Sequence, residues 1–219
     1  MRNAIHGLII RLTSGGLVLG ALVIGPARAG AEPANPPARP VIVVRSYTQA
    51  AAARDVLAGR GVAGAILSRA GIDVVWLECS GSADSAATAA ACDRPLEWNE
   101  VVLRVVAGGT VERPTGRAPL GFAHVDVQAG AGLLATIYAD RVTALAFGAR
   151  VEAADVIARA IAHEIGHLLL GTNRHARRGL MRAAWSAADL QRNLPLEWMF
   201  SKAEAAAMRR GLAARTPSA

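Results

Sequence analysis

The segment 153–170 constrains this chain most. Ile157, Ile161, Ile165, Leu168 and Leu169 recur at helical spacing, which predicts a helix from about Ala153 to Leu170 with one apolar side. Gly171 follows directly, where a left-handed cap commonly ends a helix. Inside this helix runs His163-Glu164-Ile165-Gly166-His167. Histidines four positions apart stand one turn above each other, so both imidazoles can reach a single ion. Any fold adopted by the chain has to cover the apolar side of the helix and still leave those rings accessible.

The spacing H-E-x-x-H points to a zinc-dependent hydrolase. Zinc lowers the pKa of a bound water to about 7 and polarises a carbonyl. A carboxylate next to the first histidine, here Glu164, can accept the water's proton as it attacks and return it to the leaving amine. Zinc takes a third protein ligand and keeps one position open. Beyond the helix the chain reads Gly171-Thr172-Asn173-Arg174-His175, and a reversal at Gly171 brings His175 back at little loop-closure cost. Glu197, Asp189 and His124 are the other candidates for that ligand. Arg177, Arg178 and Arg182 lie nearby in sequence and could bind substrate carboxylates or stabilise charge, but loop arginines are usually solvated, and they are left out of the site.

Around this helix the sequence predicts an α+β fold with a single mixed sheet of about four to five strands packed with helices. A buried strand opens at Val41–Val44, and a helical pattern runs from about Thr48 to Ala70, its middle weakened by Gly59, Gly61 and Gly64. Gly71 ends it. Strands follow at Asp73–Glu78 and Val101–Val106, then a Pro/Gly/Arg loop over 111–119. Leu120–Val127 and Leu133–Ala139 form two more strands, with a hairpin turn at Gly130-Ala131-Gly132. After the long helix comes an irregular stretch. Ser201-Lys202-Ala203-Glu204 then has the capping-box pattern that starts a last helix to about Ala214.

The first 29 residues read as a signal peptide. Arg2 and Arg11 precede the apolar run Leu12–Ile24, and Ala27-Arg28-Ala29 supplies an A-x-A cleavage pattern. Residues 30–40 are a Pro/Ala-rich linker, and 41–219 form the catalytic domain. The expected destination is secreted or periplasmic; an uncleaved leader would instead anchor the chain in a membrane by its N-terminus. In an oxidising compartment the only two cysteines, Cys79 and Cys92, are expected to form one disulfide across a Ser/Ala/Asp-rich loop. The leader's three arginines account for part of the formal net charge of +7. The remaining arginines are scattered, with no basic run interleaved with aromatics, so nucleic acid is not an expected partner. A peptide or protein substrate is.

His163 to Met181 (HEIGHLLLGTNRHARRGLM) resembles the zinc-binding region of metzincin-type metallopeptidases, H-E-x-x-H-x-x-G-x-x-H followed by a methionine turn. The chain is similar to a small exported bacterial-type relative of that group. The resemblance implies a zinc endopeptidase with His163, His167 and His175 as ligands, Glu164 as the base, Gly171 as the bend and Met181 as the turn methionine. It also implies that the strand before the motif helix binds substrate backbone, here Gly121, Phe122 and Ala123. Gly171 falls one residue later than in that pattern and His175 two, so the helix is longer and the following loop wider. Two further readings keep the motif. One is a gluzincin-like peptidase or aminopeptidase with Glu197 as third ligand; the other is an exported, non-catalytic zinc-binding domain.

Overall fold

The computed structural model describes residues 38–81, 85–108 and 118–215. The leader at 1–29, the linker up to residue 37 and most of the 111–119 loop lie outside the described residues. The described chain runs β1 (Val41–Thr48), a 3-10 turn, α1 (Ala53–Arg69), β2 (Asp73–Glu78), α2 (Ala86–Asp93), β3 (Glu100–Val106), β4 (Gly121–Asp126) and β5 (Ala131–Tyr138). It continues with α3 (Ala139–Ala149), α4 (Ala153–Leu170), α5 (Ala187–Arg192), a second 3-10 turn at Pro195–Trp198 and α6 (Lys202–Ala213). The five strands form one mixed sheet in the order β2-β1-β3-β5-β4. β1, β2, β3 and β5 are parallel, and β4 pairs antiparallel with β5, leaving β4 at the edge. The fold is α+β with a single mixed sheet, as the sequence predicts.

Central strands buried on both faces read as nearly continuous apolar runs. Ile42, Val44, Val101, Leu103, Val105, Ala135 and Ile137 are fully buried. β1 extends four residues beyond the predicted Val41–Val44, because its polar continuation is also buried and satisfied. Arg45 pairs with Glu100 at 2.5 Å and donates to the carbonyls of Cys92, Arg94 and Pro95. Two buried charges persist here because each meets its complement.

The glycines predicted to break the first helix do not break it: α1 is continuous. Gly59 instead lets two helices approach, since a Cβ there would lie 2.8 Å from the Ala154 carbonyl oxygen and 3.0 Å from Ile157 Cγ2 of α4. Three helices, α2, α3 and α5, escape the sequence reading. α2 occupies the stretch between the cysteines, capped by Ser85, whose side chain accepts from Thr88 N–H. α3 follows β5 with no side-chain cap at Tyr138 and ends on Arg150 at φ 55°, without the usual glycine. The irregular stretch before the last helix also contains α5, closed by a capping box between Ser186 and Asp189. Cys79 and Cys92 are disulfide-bonded, joining β2 to α2. Among the described residues no helix is long and apolar enough to cross a membrane.

α4 is the central helix, packed against β4, β5, α1, α3 and α6. Almost every one of its residues is buried, including Arg159, His163, Glu164 and His167. Its C-terminus is fixed by Gly171 at φ 63°, where a side chain would overlap the Gly130 carbonyl of the β4–β5 turn. The two main chains therefore touch directly at the point where the chain leaves the helix.

Candidate metal centre

His163 and His167 sit on one face of α4, and Gly171 turns the chain so that His175 comes back beside them. The three rings offer ligand nitrogens that all lie within 4.8 Å of one another. Among the described residues they are the one such group of three or more histidines, cysteines or carboxylates. His167 Nε2 is 3.0 Å from His163 Nε2 and 3.3 Å from His175 Nε2. Four ligands set tetrahedrally at about 2.0–2.1 Å from zinc are separated by roughly 3.3–3.4 Å, so the two spacings to His167 come close to that geometry, and all three nitrogens stay within 4.8 Å.

Main-chain carbonyls hold the two helical rings in position. His163 Nδ1 donates to the Leu180 carbonyl at 2.9 Å, and His167 Nδ1 donates to the Thr172 carbonyl at 2.8 Å. A carbonyl can only accept, so each proton is assigned to Nδ1 and each Nε2 keeps a free lone pair. Burial holds both imidazoles below the usual histidine range, with His163 near 4, which favours their neutral, ligating form. Two lone pairs facing each other at 3.0 Å repel unless a cation lies between them. The donor set therefore fits a divalent metal, and partners on Nδ1 are what metal-ligating histidines ordinarily have. His175 is exposed and forms the open side of the group.

Glu164 is 7% exposed and points at the edge strand. A Cβ on Gly121 would lie 2.9 Å from Glu164 Cγ and Oε1, so the absence of a side chain at 121 is what admits this carboxyl. Burial alone pushes its pKa up to about 8. Below the motif, Gly166 plays the same part for two other side chains. A Cβ there would lie 2.8 Å from Met181 Sδ and 2.6 Å from Phe200 Cε1. Met181 is buried against the helix between the two histidine positions, and its carbonyl accepts from Ala176 N–H at 2.8 Å, closing the loop that carries His175.

These groups open onto a cleft of about 700 Å³. Its lining includes Leu120–Ala123, where β4, an edge strand among the described residues, begins, and also Arg182, Ala183, Ala184 and Trp185. Gly121, Phe122 and Ala123 thus all border the cleft that holds the histidines and Glu164. The Trp185 ring meets His163 edge-on at 5.7 Å.

The other candidate ligands lie elsewhere. His124 is exposed on β4 with its ring against Phe122. Asp189 is engaged by Ser186 and Arg192, and Glu197 Oε1 faces Arg192 at 3.5 Å. None of the three joins the histidine group. Arg182, left out of the site on sequence because loop arginines are usually solvated, lines the cleft with a side chain only 14% exposed. The Leu180 and Thr172 carbonyls also escape sequence reading, because a main-chain acceptor leaves no mark on residue type.

No family model matches the chain, and no curated protein does. Among solved structures the chain is similar to archaemetzincin (amzA) from Methanopyrus kandleri, at 14% identity over 82% of this chain and 99% of that one. The TM-score is 0.47, a likeness too slight to carry functional weight.

Proposed function

We propose that the protein is a zinc-dependent endopeptidase, with His163, His167 and His175 as ligands and Glu164 as general base and acid. The observation that carries this reading is the convergence of three imidazole nitrogens beside a buried carboxyl in an open cleft. A zinc ion held there supplies a Lewis acid that acidifies water and polarises a carbonyl. The residues do the rest. Leu180 and Thr172 fix two rings in the ligating tautomer. Glu164, with a proton affinity raised by burial, takes a proton from the attacking water and delivers it to the departing amine nitrogen. The free edge of β4 offers main-chain groups to an extended peptide across the cleft.

A zinc assay together with hydrolysis of an unfolded protein tests the proposal. The purified chain is expected to hold about one zinc per molecule and to lose activity to a chelator. Glu164→Gln should keep the zinc and lose about a hundredfold or more in kcat. His175→Ala should lower zinc content whereas Glu197→Ala should not; the reverse result would hand the third position to Glu197. Full activity in Glu164→Gln would remove that residue from its role.

A further inference from the structure

Arg182 lines the cleft with a side chain that is largely buried. Its guanidinium makes no hydrogen bond to any described residue, and its buried Nε and Nη2 have no hydrogen-bond partner. The nearest carboxylate is Asp189, with Oδ2 3.9 Å from Nη2, beyond hydrogen-bond reach. Asp189 is already engaged: Oδ2 accepts from Ser186 N–H at 2.8 Å and from its hydroxyl at 2.7 Å, and Oδ1 accepts from Arg192 at 2.7 Å. The Trp198 ring supports Arg182 at 4.6 Å, and the Arg159 guanidinium lies over that same ring at 4.2 Å. Two cations thus share one indole.

A second donor on the same wall is in the same condition. The indole Nε1 of Trp185 is buried with no partner, and Trp185 borders the cleft beside Arg182. Buried donors are normally satisfied, and a guanidinium offers five N–H groups in a planar fork suited to a carboxylate. On this stretch of the lining the unpartnered buried side-chain atoms, Arg182 Nε and Nη2 and Trp185 Nε1, are all donors.

We infer that the Arg182–Trp185 wall is a carboxylate-recognition subsite, so that the preferred substrates carry a carboxylate close to the scissile bond. This rests on the peptidase reading above. The guanidinium meets the entering carboxylate and turns on the Trp198 ring to offer one edge of its fork, while the Trp185 N–H supplies a further donor. The carboxylate is either an acidic side chain or the free C-terminus of the substrate.

One peptide sequence in four forms separates these sources: Glu or Gln next to the cleaved bond, each with a free or an amidated C-terminus. Cleavage by the zinc-loaded full chain is followed by mass spectrometry, and binding to the zinc-loaded Glu164→Gln variant by calorimetry. The carboxylate-bearing form is expected to have a kcat/KM about tenfold or more above its neutral isostere, mostly through KM. A preference that follows Glu over Gln with the terminus amidated assigns the subsite to a side chain. One that follows the free acid over the amide assigns it to the terminus. Arg182→Met should bring the ratio close to one, and Arg182→Lys should restore part of it. A wild-type ratio near one overturns the inference, as does an equal loss on charged and neutral peptides in Arg182→Met, the mark of a purely structural arginine. If no form is cleaved, the peptidase reading fails by itself, and the calorimetric comparison still decides whether the wall selects carboxylates.

Discussion

Gly121 shows how little room surrounds the Glu164 carboxyl. Its missing side chain leaves space for Glu164 on one side and brings the strand within 2.8 Å of the Thr136 carbonyl on the other, measured from where a Cβ would sit. Gly121→Ala should therefore displace the carboxyl without touching the histidines. The expected result is full zinc content, kcat lower by on the order of tenfold to a hundredfold, and about 1–3 kcal/mol of lost stability. Unchanged turnover in that variant would mean that Glu164 is not held where the cleft places it. At this scale the sequence was informative where chemistry depends on residue type and spacing. His163, Glu164 and His167 announce themselves, and Gly171 indicates the reversal that brings His175 back. The carbonyls of Leu180 and Thr172 and the inward turn of Arg182 depend on where distant segments pack, which spacing alone does not encode.

Among the elements, α5 gives the clearest dependence on pH. Asp189 closes its capping box, and the Ser186 backbone N–H, followed by the Ser186 hydroxyl, holds its carboxyl down to about 2 from an ordinary 3.8. A depressed carboxyl contributes stability that is fully present above about pH 3.8 and disappears as the pH falls through about 2. Asp189→Ala should cost about 1 kcal/mol near neutrality, and that difference should shrink towards zero between pH 4 and 2 in thermal melts. A constant difference across that window would rule out the cap as its source. The same local signals explain which elements the sequence revealed. α4 has unbroken periodicity and a glycine cap, and α6 begins with a capping box; both match expectation within a residue or two. α3 has neither signal, and α2 is a short alanine-rich helix inside a stretch that reads as loop. β1 was underestimated because a buried ion pair made its second half look like a surface segment.

For the molecule as a whole, the histidine group and the disulfide belong to different ends of the sheet. The histidine cleft lies along edge strand β4, whereas Cys79–Cys92 fastens the opposite edge strand, β2, to α2. The crosslink spans a sequence separation of 13, worth about 3 kcal/mol from the unfolded chain, or roughly 6–12 °C in Tm for a domain of this size. The lower end is expected, because Arg45 holds the carbonyls of Cys92, Arg94 and Pro95 with or without the sulfur bond. Cys79→Ser with Cys92→Ser should therefore melt earlier yet bind zinc and turn over substrate as before; a loss of zinc would show that the two ends are coupled. The contact between Gly130 and Gly171 has a different bearing. Since peptide meets peptide there with nothing interposed, the β4–β5 turn acts as a fixed stop for the end of α4. Anyone grafting a foreign loop onto this scaffold should leave that junction untouched, because a single added methyl would pry the strand pair from the helix and swing His175 away from its companions.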